Sequence, residues 1–85
     1  MRTAAKWTQP EHYRIVGAAL AAARQRANMT QVELAARLGK PQSVVSAYEA
    51  GKRRVDLVEF VLITRTLGVD PVAIFAEIVR SVPER

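Results

Sequence analysis

Residues 30–54, TQVELAARLGKPQSVVSAYEAGKRR, hold two short helical patterns on either side of one glycine-bearing turn, and that spacing decides the fold. Thr30 followed three residues later by Glu33 reads as a capping box, in which hydroxyl and carboxylate each take one of the N–H groups that a helix leaves unpaired at its start. Met29 stands where it can pack on Leu34 as a hydrophobic staple. The helix opened in this way runs from Gln31 to Leu38. It stops at Gly39, which lacks the Cβ that penalises the left-handed conformation just past a helix end. A second helix, Pro41 to Ala50, follows at once and ends before Gly51. Ala35 is small where the two helices must cross, and Leu34, Leu38, Val45 and Tyr48 supply the apolar contact.

The same end signals recur on both sides. Asp56 with Glu59 forms another box, flanked by Val55 and Phe60, and opens a helix to about Leu67 before Gly68. Asp70 followed by Pro71 is an N-cap with a first-turn proline, and Val69 can staple to Ile74. Upstream, Thr8 with Glu11, and Pro10 in the first turn, start a helix that carries Val16, Leu20, Ala23 and Ala27 on one face and ends near Asn28. Residues 1–7 read as a mobile arm, and Trp7 as a packing cap on the bundle. No alternating strand pattern lies between these marks and the connections are short, so the expected fold is an all-α bundle of five helices, one domain over residues 8–85.

The 85 residues permit one domain, and a composition 49% hydrophobic and 25% charged is that of an ordinary globular chain. The absence of cysteine excludes a disulfide or a thiolate metal site, and no apolar run suggests a leader or a membrane span, so the cytoplasm is the expected location. The net charge of +5 is localised: residues 24–54 carry Arg24, Arg26, Arg37, Lys40, Lys52, Arg53 and Arg54 against only Glu33 and Glu49, and the remainder is balanced. Such clustering marks a polyanion partner more than the total does. Catalysis would need a nucleophile beside a base, a metal cluster or a phosphate loop. The single histidine, His12, has no second ligand in view, so no enzyme activity, metal or cofactor is expected.

The residues quoted above resemble the lambda-repressor-like, Cro-type (XRE-like) helix-turn-helix family. Its pattern of an arginine, a Leu-Ser/Thr-Gln step, L-A..LG, a polar recognition helix and E.GKR is matched by Arg24, Met29-Thr30-Gln31, Leu34-Ala35, Leu38-Gly39, and Glu49 with Gly51-Lys52-Arg53. The likeness runs from about Leu20 to Ile74 and includes LGVDP at residues 67–71. It implies five helices, with the third in the major groove of double-stranded DNA. It also implies that Gln31 and Lys40 contact the DNA backbone, that Gln42, Ser43, Val44 and Ala47 face the bases, and that Lys52, Arg53 and Arg54 neutralise phosphates. Glutamine can pair bidentately with adenine N6/N7, and valine can touch a thymine methyl, so Gln42 is the leading base reader. Arg24 and Glu49 match an internal ion pair between the first helix and the end of the third.

Pro41 departs from the family's Ser or Thr cap, and Val44 and Ala47 are apolar where polar groups are common. Direct readout is then thin. Specificity either leans on DNA shape, or the fold has been turned to protein capture as an antiactivator or antitoxin-like module. In the last helix Ile74, Ile78, Val82, Phe75, Val79, Val72 and Ala76 spread over an arc of roughly 200°, wider than the stripe one core needs. Val72, Ala76 and Val79 are therefore expected to meet a second copy of the chain, or else a protein regulator. The resemblance implies a dimeric repressor of the kind found on mobile elements, reading a palindromic operator.

Overall fold

The computed structural model describes residues 8–84 and contains among them five α-helices and no strand: α1 Pro10–Arg26, α2 Gln31–Leu38, α3 Gln42–Glu49, α4 Leu57–Leu67 and α5 Pro71–Ser81. The expected arm over residues 1–7, with Trp7, lies outside the described residues. Among the described residues no helix is long and apolar enough to cross a membrane.

Reciprocal caps set the starts of α2 and α4. Glu33 N–H donates to Thr30 Oγ1 at 3.0 Å and Thr30 N–H to Glu33 Oε1 at 2.8 Å; Glu59 N–H donates to Asp56 Oδ1 at 2.7 Å and Asp56 N–H to Glu59 Oε1 at 3.0 Å. The backbone N–H of each cap residue, donating to the carboxylate, is the main reason both glutamates are held below the usual carboxyl range. Val72 N–H donates to Asp70 Oδ1 at 2.9 Å at the start of α5. Gly39 and Gly68 take the left-handed conformation at the ends of α2 and α4, and Asn28, at φ 56°, does the same after α1.

Two starts differ from expectation. The N-cap of α1 is Gln9 rather than Thr8, and its partner is His12 rather than Glu11: Gln9 N–H donates to His12 Nδ1 at 3.0 Å. Pro10 sets this frame, because a proline at the first helical position makes the residue before it the cap and the residue two further on the capping partner. Likewise Pro41 is the N-cap of α3 and not a first-turn residue. Its ψ of 150° is extended, and its carbonyl accepts the Val44 N–H at 3.0 Å. No side chain caps α3.

Every helix contributes to one core: Leu20 and Ala23 from α1, Leu34 and Ala35 from α2, Val45 and Tyr48 from α3, Phe60, Ile63 and Leu67 from α4, and Ile74 and Ile78 from α5 are buried. Met29, Leu38, Val55 and Val69 pack on it from the connections and helix ends. The centre of the arrangement is α1, which packs on α3, α4 and α5, while α2 lies against α3 and α4.

At Gly17 α1 passes very close to the end of α3. A Cβ there would collide with the carbonyl oxygens of Tyr48 and Glu49, so α1 can cross the end of α3 only where a side chain is missing. In an open helix Gly→Ala gains about 0.5–1 kcal/mol, whereas overpacking a tight contact costs typically about 1–3 kcal/mol. Because the neighbouring atoms are backbone, the second effect wins. Gly17→Ala should lower the unfolding free energy in urea melts by about 1–2 kcal/mol; a gain would mean that α1 can step back without loss.

Candidate nucleic-acid interface

The periodicity of α3 is anchored by its buried residues, Val45 and Tyr48. Opposite them Gln42, Ser43 and Ser46 are exposed, with Ala47 half-buried on the flank. Val44 does not join this face. It stands one turn before Tyr48, shares its inward side, and is half-buried against the core. Ser46, one turn beyond Gln42, takes the outward position that the sequence reading left unassigned. A helical wheel drawn from Val45 and Tyr48 would have found it.

The start of α2 and the end of α3 are joined beneath this face by a chain of polar side chains. Arg24 of α1 donates through Nε to Glu49 Oε2 at 2.6 Å and through Nη2 to Glu49 Oε1 at 3.0 Å, and its Nη1 donates to the Met29 carbonyl at 2.8 Å. The two side chains are only 12% and 9% exposed. The hydrogen bond to Glu49 pushes the Arg24 guanidinium further up, outweighing the opposing effect of burial. Gln31 Nε2 donates to Glu49 Oε1 at 2.8 Å, and Gln42 Nε2 donates to Gln31 Oε1 at 3.1 Å.

The chemistry of the carboxylate orients this chain. Ionised Glu49 only accepts, so Gln31 must turn its amide nitrogen toward Glu49 and its oxygen toward Gln42. Gln42 then donates one N–H inward and keeps the other N–H and its Oε1 for a ligand. The ion pair inferred as purely internal therefore reaches the outermost reading residue through two amides. Gln31, expected to point its side chain at phosphate, has each end of that amide in a hydrogen bond to another side chain and keeps its second N–H.

Cations flank the face. Lys40 is exposed at the turn before α3, and Lys52, Arg53 and Arg54 are exposed in the turn after it. The Arg53 guanidinium lies 5.5 Å from the Tyr48 ring centroid and that of Arg54 lies 5.0 Å from the Tyr13 ring centroid. At exposed sites such contacts are worth about 0.5–1 kcal/mol, enough to bias two long side chains toward fixed positions without locking them. The Tyr48 hydroxyl donates to Glu59 Oε2 at 2.8 Å, tying α3 to α4; burial is the main cause that raises the phenol above its ordinary value. Among the described residues no group of His, Cys, Asp and Glu is placed to hold a metal.

Residues 20–74 match the family described as helix-turn-helix. An XRE-family like protein from Pseudomonas syringae pv. tomato is 40% identical, with 96% of this chain and 100% of that one covered and a TM-score of 0.76. The chain belongs to the XRE-like helix-turn-helix family. The clp gene regulator ClgR of C. glutamicum shares the fold, with a TM-score of 0.78 at 23% identity over 87% of this chain and 96% of that one. No curated protein matches. At this level the XRE-like chain is a DNA-binding transcription regulator.

A second surface of this XRE-like protein is apolar. On α5 Val72 and Val79 are 73% and 57% exposed and Ala76 is half-buried, while Ile74 and Ile78 turn inward. Phe75, at 50%, and Leu57 of α4, at 75%, line a shallow recess of about 90 Å³ floored by Phe60 and Ile78. The recess joins the start of α4 to the α5 face, a contact that the pattern of α5 alone does not show.

The near-complete burial of the Arg24–Glu49 pair makes loss of one partner costly, because the other stays desolvated. Arg24→Ala should destabilise the fold by about 3 kcal/mol or more in denaturant melts, and replacing Arg24 and Glu49 together by packed apolar residues should cost clearly less. Equal costs would show that the pair is solvated.

Proposed function

We propose that this XRE-like regulator is a dimeric repressor that lays α3 in the major groove of a palindromic operator. The observation that carries the reading is the exposed strip of Gln42, Ser43 and Ser46, with its amide polarity preset and cations at both ends. Gln42 retains a donor and an acceptor side by side, the pattern that matches adenine N7 and N6. Ser43 and Ser46 can contact either a base edge or a phosphate. Val44, half-buried, is left at most its edge for a thymine methyl, and Ala47 offers only apolar contact. Lys40, Lys52, Arg53 and Arg54 supply phosphate contacts that set affinity without reading sequence, together with the backbone N–H groups at the start of α2 near Gln31.

A two-fold dimer would place two reading helices about 34 Å apart, one helical turn of DNA, and so double a short readout. Val72, Ala76 and Val79, extended by Phe75 and Leu57, provide an apolar surface for it. The same surface supports a second reading, capture of another protein regulator, which would leave the free chain monomeric. The setting expected for either is the cytoplasm.

Equilibrium binding to a selected operator and to random duplex, each across a salt series, tests the DNA reading. Gln42→Ala should lose roughly 1–3 kcal/mol on the operator and much less on random DNA. Lys52→Ala or Arg53→Ala should weaken both alike and reduce the log–log salt slope by about 0.9 per lost contact. Unchanged slopes for both cation variants would remove them from the interface.

Sedimentation at micromolar concentration tests assembly. Wild type should be dimeric and Val79→Glu monomeric, with operator affinity falling in step. A monomeric wild type that binds its operator as well as Val79→Glu does would favour the protein-capture reading of this face.

A further inference from the structure

The turn after α3 folds back on the start of α1, and the two enclose an open cleft of about 340 Å³ whose lining includes Thr8, Tyr13, Gly51, Lys52 and Arg54. Its walls are held close. Gly51 has φ +75°, and a Cβ there would stand 2.7 Å from the Arg14 backbone nitrogen, so the turn presses directly on α1. Arg54 does not extend freely from this turn, because its guanidinium rests 5.0 Å from the Tyr13 ring centroid on the opposite wall. Lys52 brings a second cation, Thr8 a hydroxyl, and among the described residues no carboxylate lines the cleft. None of the outward residues of α3 takes part in it.

Two cations, a hydroxyl donor and no acid around one concavity are the complement of an oxyanion. A guanidinium seated on an aromatic ring keeps its N–H edge available for bidentate contact with phosphate oxygens. At about 340 Å³ the cleft is at the lower end of the size of small-molecule sites, room for a phosphate with a sugar attached. We infer that this cleft is a phosphate-binding site distinct from the reading face of α3, with Lys52, Arg54 positioned on Tyr13, and the Thr8 hydroxyl as its ligands. The phosphate belongs either to the duplex backbone beyond the half-site or to a free phosphorylated compound. The first source rests on the DNA reading given above; the second does not.

The test variant is Thr8→Glu, which sets a carboxylate in the cleft while leaving the fold in place, since an acid just before a helix start suits the helix dipole. Thr8→Gln is the neutral control. Pyrophosphate titrated into the isotope-labelled full chain should give saturable amide shifts at Gly51, Lys52 and Arg54 in wild type, with weaker binding in Thr8→Gln, which loses only the hydroxyl ligand, and none in Thr8→Glu. In parallel, a duplex extended past the half-site should show a salt slope steeper by about 0.9 per added phosphate contact than one ending at it, for wild type but not for Thr8→Glu. A slope gain that Thr8→Glu abolishes assigns the phosphate to DNA, and saturable shifts without it assign a free phosphorylated compound. If Thr8→Glu alters neither readout, the site is overturned. Failure to bind any duplex would sink the DNA reading alone, because the pyrophosphate titration still decides the cleft.

Discussion

The carboxylate of Glu49 is the point on which the rest of this structure depends. It sits at the last turn of α3, is 9% exposed, and draws Arg24 from α1 and Gln31 from α2 onto its two oxygens. A carboxylate removed from water to that degree is tolerable only when its lone pairs are met by donors, and here two guanidinium N–H groups and one amide meet them. The consequence is geometric. Three helices are tied together by one acceptor-only group, and the amide of Gln42 inherits its polarity from the same source.

That node can form only because α1 comes unusually close to α3. Gly17 permits the approach, and Arg24, two turns further along α1, uses it. A larger residue at position 17 would separate the helices at the place where the ion pair must close. Packing and polar chemistry are thus not independent layers here: the missing side chain sets the distance, and the ion pair sets the orientation. The outer surface then inherits a rigid support, with Tyr48 pinned by Glu59 on one side and carrying Arg53 on the other.

The surface is divided by chemistry. Polar and cationic groups gather where α2, α3 and the following turn emerge, while the large exposed apolar residues, Val32 of α2 apart, are on α4 and α5: Leu57, Val58, Leu62, Val72, Phe75 and Val79. The cleft beside Tyr13 enlarges the polar side toward α1, which the pattern of residues 30–54 gave no reason to include.

The sequence by itself determined where the helices end and which side of each is apolar, because both are local matters. A Thr or Asp three residues before a Glu can close its hydrogen bonds within one turn, and a glycine just past a helix end can take positive φ without steric cost. Even the displaced start of α1 is a local effect, readable from Pro10 once that residue is given priority over Thr8. Only the tertiary structure decided which residues meet. That Tyr48 of α3 meets Glu59 of α4 depends on how these helices dock. That Gln31 bridges Glu49 and Gln42 depends on a crossing distance set by Gly17. That Leu57 joins Phe75, and Arg54 joins Tyr13, depends on how distant segments dock. These are contacts between residues far apart in the chain, with energies that vary over fractions of an ångström, and spacing along a sequence carries no measure of that distance.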